Sequence, residues 1–234
     1  MGSGSQFGAV DSCSHCKLRG EHAFCNLPQE TLDILSRLSF PVSYPPHVTL
    51  FAEGQPCGGL FVLCSGKAKV TASRAGKPLM LRTAGAGDVL GLSAAFTHTR
   101  YDVTAETLAP STVRFIKKDD FMQLLKVSAD ATARVIHTLG VEYEQAVDSL
   151  RNLGLLHTAT ARVAQLLLNI TNEANGSQAP AKLLLTQQQI AQMTATTRET
   201  VTRLLVQLRR EKVISIRGSN LIVRNRRALE RLAS

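Results

Sequence analysis

Tryptophan is absent from this 234-residue chain, aromatic residues make up only 5% of it, and cysteine occurs five times. The core must therefore be built mainly from aliphatic side chains, and 44% hydrophobic residues are enough to build one. No apolar run approaches the roughly 18 to 20 residues that a membrane-spanning helix needs. The first residues, MGSGSQFGAV, lack the charged start and apolar block of a signal peptide. These absences predict a cytoplasmic protein with no membrane partner. In a reducing compartment disulfides are disfavoured, so clustered thiols point to metal ligands or redox sensors. The sequence also lacks a nucleophile elbow, a phosphate loop with its lysine and a metalloprotease helix, so it does not read as an enzyme.

Acidic residues are scarce in one region only. Residues 155–234 carry 12 Lys and Arg against 4 Asp and Glu, whereas residues 1–154 carry 15 against 14. The last 80 residues thus hold +8 of the +9 net charge. That is the footprint of a polyanion-binding module, with a solubilising surface as the plainer alternative.

What is present falls into four segments. Residues 1–26 combine a Gly- and Ser-rich lead, expected to be disordered, with a cysteine-rich stretch. Residues 27–118 begin with LPQETLDILSRLS, whose leucines have helical spacing. There follow six short β-rich runs, HVTLF, GLFVLC, KAKVTAS, LMLRTA, VTAETLA and TVRFI, separated by turn signals. Such closely spaced strands predict an antiparallel roll. Over residues 119–154, Val135, Leu139, Tyr143, Ala146 and Leu150 fall on one seam of a single long helix, which predicts pairing with a second copy. Packing on the chain's own roll is the alternative.

Residues 155–234 read helix, helix, helix, hairpin. TQQQIAQM opens on a capping box, Thr186 with Gln189. RETVTRLLVQLRR carries Val201, Leu204, Leu205 and Leu208 on one face. VISIRGSNLIVRN is a hairpin around RGSN. Two short helices, the second basic, with a wing after them predict a winged helix-turn-helix that binds double-stranded DNA. Opposite the apolar stripe stand Arg198, Glu199, Thr202 and Arg203. Arginine can bond bidentately to the O6 and N7 of guanine, and glutamate accepts from the N4 amine of cytosine. Glu199 as a helix cap among solvated arginines is the alternative. Arg209, Arg210, Lys212 and Arg217, with Arg224, Arg226 and Arg227, suit phosphates.

CSHCKLRGEHAFC, residues 13–25, gathers three cysteines and two histidines. Cys13 and Cys16 form a C-x-x-C pair that lets one turn of chain present two sulfurs, and Cys25 follows after eight residues. His15 or His22 would complete a structural zinc set. The thiols could also act directly as a redox switch.

From about Leu27 to Val223 the chain resembles the cyclic-AMP receptor protein and FNR superfamily of bacterial transcription regulators. The resemblance rests on EG and SG flanking LFVLC, on GAGDVLG in the roll and on RETVTRLL in the reader. It implies an α+β fold in three parts: a β-roll, a long dimerisation helix and a C-terminal winged helix-turn-helix. In that family R-E-x-x-x-R contacts a TGTGA-type half-site, and here the pattern falls on Arg198, Glu199 and Arg203. FNR has an apolar residue at the place of Arg198 and prefers a TTGAT-type half-site, so a palindrome of TGTGA-like half-sites is expected. Thr202 departs from both patterns. RNA polymerase would be a further partner of an activator, but no stretch marks a patch for it.

The resemblance also bears on the signal. The family's cyclic-nucleotide signature needs a Glu where this chain has Leu92, and an Arg-Ser pair where it has Tyr101 and Asp102. Arg100 is adjacent, yet no shift rescues Leu92, so cyclic AMP is not expected. FNR proteins hold a [4Fe–4S] cluster on three N-terminal cysteines and one in the roll. Cys13, Cys16 and Cys25 occupy the matching N-terminal place, with a longer second spacing. The roll position corresponds to Thr107 in this reading. Cys57, at the start of a strand expected to run beside Thr107, is then the favoured fourth ligand. Cys64, at the strand's far end, is expected to pack as a small apolar residue. The runner-up is a regulator of the same type with a small-molecule or nitric-oxide effector in the roll, and zinc or no metal on the cysteines. An electron carrier is more remote.

Overall fold

The computed structural model describes Cys13, Cys16 and residues 24–74, 76–97, 100–156, 158–173, 181–182, 185–218 and 220–233. His15 and His22, the alternative nitrogen donors, lie outside the described residues. The chain forms two compact units, Met1–Glu144 and Gln145–Ser234. Among the described residues no helix is long and apolar enough to cross a membrane.

In the first unit, helix α1 (Gln29–Leu38) starts after Pro28 and buries Thr31, Leu32 and Leu35. Ser39 closes it by donating its hydroxyl to Leu35 O at 2.7 Å. The strands that follow are β1 (Ser39–Tyr44), β2 (Thr49–Phe51), β3 (Gly59–Ser65), β4 (Ala68–Arg74), β5 (Lys77–Ala84) and β6 (Val89–Leu90). A short helix, α2 (Leu92–Thr97), separates these from β7 (Thr104–Thr107) and β8 (Ser111–Lys117). The strands form two four-stranded antiparallel sheets, ordered β1-β8-β3-β6 and β2-β7-β4-β5. All six expected runs are strands. Sequence reading missed β1, an edge strand that contains Pro41 and is largely exposed, so its apolar alternation is weak. It also missed the two-residue β6 and helix α2.

Strand β3 runs against the cysteine segment. It is buried from Gly59 to Leu63, and its side chains alternate between two layers. Leu60 and Val62 join Phe24, Cys25, Leu32, Leu35 and Phe121. Phe61 and Leu63 join Phe51, Val70, Ala105 and Val113 between the sheets. After β3 the chain turns at Gly66, whose φ is +91°. An added Cβ there would collide with Ser111 and the Pro110 carbonyl, so only glycine fits.

The element expected as one helix over 119–154 is two, α3 (Lys118–Val127) and α4 (Ala129–Leu155). The break is at Ser128, which leaves helical geometry with φ −126° and ψ 106°. Its hydroxyl accepts from Ala131 N at 3.2 Å, starting the new helix, and shares a buried 2.9 Å hydrogen bond with Thr31 of α1.

The second unit contains α5 (Ala159–Glu173), β9 (Ala181–Lys182), α6 (Gln187–Met193), α7 (Arg198–Arg210), β10 (Ile214–Arg217), β11 (Asn220–Val223) and α8 (Arg226–Ala233). The expected hairpin is β10 paired with β11, and β9 adds a third strand beside β11. Helix α8 was not expected. It packs on α5 and buries Leu229 and Ala233, and Asn225 caps it by accepting from Ala228 N at 3.0 Å. The predicted capping box is present. Thr186 Oγ1 accepts from Gln189 N at 3.2 Å, and Gln189 Oε1 accepts from Thr186 N at 2.8 Å. Thr186→Ala should cost this unit about 1 kcal/mol. Urea denaturation followed by circular dichroism would measure this, and an unchanged midpoint would show that the box contributes nothing.

Candidate nucleic-acid interface and metal centre

Helix α7 divides as its periodicity requires. Val201, Leu204, Leu205 and Leu208 are buried against Ile190 and Ala191 of α6 and Val163, Ala164 and Leu167 of α5. On the other side Arg198, Glu199 and Arg203 are exposed. Val206, missed by sequence reading, is 57% exposed on the same face. Thr202 is half-buried, and its hydroxyl is 2.6 Å from Gln187 Oε1 and 2.8 Å from Arg198 O. Thr202 therefore faces the first residue of α6 as well as solvent.

The angle between α6 and α7 is set by their turn. Thr194 donates its hydroxyl to Ile190 O at 2.7 Å, and Thr196 N donates to Ala191 O at 2.9 Å. Ala195 takes a left-handed φ of +46°. Arg162 of α5 clamps this turn, donating from Nε to Thr194 O at 2.8 Å and from Nη2 to Ala195 O at 3.4 Å. Thr197 then caps α7 by accepting from Thr200 N at 3.2 Å. The Glu199 carboxyl is held below its ordinary range by its own backbone N–H and the Thr197 hydroxyl, with the Arg198 and Arg203 charges adding to this. It thus caps the helix as well as facing outward.

The proposed phosphate contacts are also exposed: Arg209 and Arg210 at the end of α7, Lys212 just beyond, and Arg217 at the hairpin. Lys212 has a φ of +57°, and Val213 N returns to Leu208 O at 2.9 Å, a Schellman-type ending. Of the outer arginines, Arg226 pairs with Glu230 at 2.8 Å and Arg224 donates to Ser215 Oγ at 3.2 Å. Both serve α8 and the hairpin as the structure stands, and Arg227 is exposed.

The cysteines do not assemble as expected. Cys13 and Cys25 are buried, at 4% and 6% exposure, in the layer against Leu60 and Val62 of β3. Cys16 N donates to Cys13 O at 3.3 Å, the single turn expected of the C-x-x-C pair. Cys64 follows on β3 where the pairing with β8 shifts register, between Leu63 and Ser65. Burial pushes the Cys25 thiol up to about 12, and the neighbouring Cys13, Cys64 and Cys16 add to the rise. Burial likewise pushes Cys64 up to about 11, with Cys13 and Cys16 contributing, while Arg114 pulls it down. Cys13 is raised in the same way.

Cys64 is thus among the thiols that act on Cys25, while Cys57 packs against the layer that contains Cys13 and Cys25. Cys57 lies at the other end of β3, roughly 20 Å away along extended chain, and its sulfur faces Tyr101 and Gly59 O, the latter at 3.6 Å. The strand that follows Cys57 does not run beside that of Thr107 as expected, because β3 pairs with β8 and β6 while Thr107 is on β7 in the opposite sheet. Thr107 itself is fully buried, donating to Pro45 O at 2.7 Å and accepting from Val48 N at 2.9 Å. Among the described residues no group of three or more His, Cys, Asp and Glu is drawn together tightly enough to hold a metal ion.

Where a cyclic-nucleotide phosphate and ribose would need charged partners, the roll is closed by apolar packing. Leu92 is 1% exposed. Tyr101 is 3% exposed, with its ring stacked on Phe51 at 4.0 Å and its hydroxyl donating to Gly59 O.

The seam expected along α4 splits in two. Val135 is buried in its own unit's core and Leu139 packs beside it, so these two are not free to meet a second chain. Tyr143, Ala146 and Leu150 are exposed, Tyr143 and Leu150 by 71% each. Ile136, 66% exposed and not among the expected seam residues, joins Tyr143 and Leu150 in a seven-residue repeat.

Comparison with known proteins follows the same division. Residues 41–128 match the cyclic nucleotide-binding domain family and residues 161–232 the Crp-like helix-turn-helix domain family. The cAMP-activated global transcriptional regulator CRP of Salmonella typhimurium is 28% identical over 77% of this chain and 87% of its own. The anaerobic regulatory protein of Bacillus subtilis is 27% identical over 86% of each chain. The crystal structure of FixK2 from Bradyrhizobium japonicum shares the fold, with a TM-score of 0.72 and 22% identity over 84% of this chain and 98% of that one.

Mild oxidation of the reduced, metal-free protein followed by peptide mapping should find disulfides only among Cys13, Cys16, Cys25 and Cys64. A bridge from Cys57 to any N-terminal cysteine would refute the grouping.

Proposed function

Because the chain belongs to the CRP/FNR family of transcription regulators, we propose that it is a homodimeric, sequence-specific DNA-binding protein. We further propose that it follows oxygen or redox state through an iron–sulfur cluster on Cys13, Cys16, Cys25 and Cys64. The burial of Cys13 and Cys25 against β3, with Cys16 and Cys64 raising the Cys25 thiol, supports the sensing part of this reading. Four thiolates are the donor set of a [4Fe–4S] cluster, and this set supplies them without a histidine. Buried thiols resist ionisation until a cation compensates the charge. A cluster bound there would supply an oxygen-labile link between the segment before α1 and strand β3.

The chain has its own ties from that segment to α4. Phe24 N donates to Gly87 O at 2.9 Å, and its ring packs against Phe121. Arg134 of α4 donates to Asn26 O at 3.2 Å, one residue after Cys25. Arg82 of β5 adds a 2.8 Å bond to Glu142 of α4. A change at Cys25 thus reaches the helix whose exposed Ile136, Tyr143 and Leu150 suit a second copy. Cyclic AMP, named for the Salmonella relative, does not carry over in this reading, because buried Leu92 and Tyr101 stand where the family's signature has its Glu and Arg.

In the reader, Arg198 would take the O6 and N7 of a guanine, Glu199 a cytosine amine, Arg203 a second base edge and Val206 a thymine methyl. Thr202 supports this face through Gln187. Arg209, Arg210, Lys212 and Arg217 would hold phosphates. The dimer would read TGTGA-like half-sites with centres about 34 Å apart.

Arg198→Ala should cost roughly 1 to 3 kcal/mol on the cognate palindrome and little on random DNA, measured by fluorescence anisotropy. Equal losses on both would remove its base-reading role. Protein purified without oxygen should be brown, contain iron and sulfide in equal amounts, and bleach in air. Cys13→Ser and Cys64→Ser should be colourless while melting normally, and Cys57→Ser should stay brown. A colourless wild-type protein carrying one zinc would overturn the sensor reading.

A further inference from the structure

The polar run TQQQ that opens α6 divides its work. Gln189 is taken up by the capping box, where its Oε1 accepts from Thr186 N at 2.8 Å. Gln187, half-buried, turns instead to α7, and the Thr202 hydroxyl donates to its Oε1 at 2.6 Å. The same hydroxyl lies 2.8 Å from Arg198 O. The Gln187 amide is thereby brought to the turn of α7 that carries Arg198 and Glu199, both exposed. The two helices are fixed against each other by Ile190 and Ala191 on one side and Val201, Leu204 and Leu205 on the other, all buried in one core. An amide oxygen has two lone pairs and its nitrogen two hydrogens. The bond to Thr202 uses one lone pair, and leaves the second lone pair and both hydrogens of Nε2 for another partner.

We infer that Gln187 is a further base-reading residue, specific for adenine, and that Thr202 is the positioning residue that holds its amide. This inference rests on the reading of the exposed face of α7 as the base-reading surface. In the major groove adenine presents the N6 donor beside the N7 acceptor, and a glutamine matches the two with Oε1 and Nε2. Guanine presents two acceptors there, thymine an acceptor and a methyl group, and cytosine a donor, so none of them engages both ends of the amide. A phosphate offers acceptors alone and would leave the oxygen unmatched, whereas Arg209, Arg210, Lys212 and Arg217 suit phosphates through their charge. Glutamine is long and rich in rotamers, and the bond to Thr202 removes part of that freedom before DNA arrives, which lowers the ordering cost of binding. The reader then extends beyond α7 to the first residue of α6, and Thr202 acts on sequence choice through Gln187 instead of touching a base itself.

The test uses the full-length protein and the palindrome that it selects from random duplexes. Each adenine of that palindrome is replaced in turn, in both half-sites, by 7-deazaadenine, which loses the N7 acceptor and keeps its pairing with thymine. Binding is measured by fluorescence anisotropy for wild type, Gln187→Ala and Thr202→Val, each checked for folding by thermal melting. For wild type, replacement at one symmetric pair of adenines should weaken binding roughly fivefold or more. Gln187→Ala should bind the unmodified palindrome more weakly and be indifferent to the same replacement. Thr202→Val keeps the side-chain shape without the hydroxyl, and should lose part of the adenine preference. If Gln187→Ala does not fold, Gln187→Met takes its place, since it keeps the length of the side chain without the amide. A wild type that selects a palindrome but is indifferent to every replacement would overturn the inference. So would a Gln187→Ala loss that is equal on the selected palindrome and on random DNA, which would make Gln187 a backbone contact. Wild-type protein that selects no sequence over random DNA would sink the base-reading role of α7 itself, and this inference with it.

Discussion

Strand β3 is buried on both faces, so each of its side chains is committed to one of two layers, and the sensor unit is organised around that commitment. Leu60 and Val62 go to the layer shared with α1, α3 and the cysteine segment, while Phe61 and Leu63 go between the sheets. A slip of one residue in the pairing with β8 would exchange the two sets and carry Cys64 away from Cys13, Cys16 and Cys25. The ladder shifts register between Leu63 and Ser65, so Cys64 sits at the irregularity, where a bulge re-aims a side chain. Arg114 reaches the same layer by the matching alternation of β8.

The outline of this arrangement was legible in the sequence, and the fourth sulfur was within reach of it. The six strand runs, the capping box at Thr186 and the apolar stripe of α7 all follow from local periodicity, which a single segment carries by itself. Leu60, Val62 and Cys64 also share a period of two, and that signal alone would have placed Cys64 with the aliphatic layer. Choosing between Cys57 and Cys64 further required the pairing order of the strands, which is a long-range property. The order β1-β8-β3-β6 separates β3 from Thr107, and no local pattern states that. Helix α8 was missed for another reason. Its arginines read as phosphate contacts, and its Leu229 and Ala233 gain meaning only once α5 offers them a surface.

The reading helix shows the same mixture of local and distant control. Its buried and exposed faces follow from RETVTRLLVQLRR alone. Its direction depends on a turn in which Ala195 adopts a conformation costly for any residue with a Cβ. Arg162, more than thirty residues earlier, offsets that cost by gathering the carbonyls of Thr194 and Ala195. Thr202 and Gln187 add a short bond between the two helices at the point where they diverge. The exposed face of α7 is thus held in place by residues that lie outside it.

The hydroxyl pair of Thr31 and Ser128 gives α4 a fixed root. Ser128 caps α4 and is bonded to α1, so the helix can tilt at its base only by disturbing a buried contact with the element that follows the cysteine segment. With 27 residues, α4 is about 40 Å long. Two hydroxyls joined by one hydrogen bond thus tie the first turn of α4 to the helix that follows the cysteine segment, so a shift of α1 within its own unit is felt first at the start of α4.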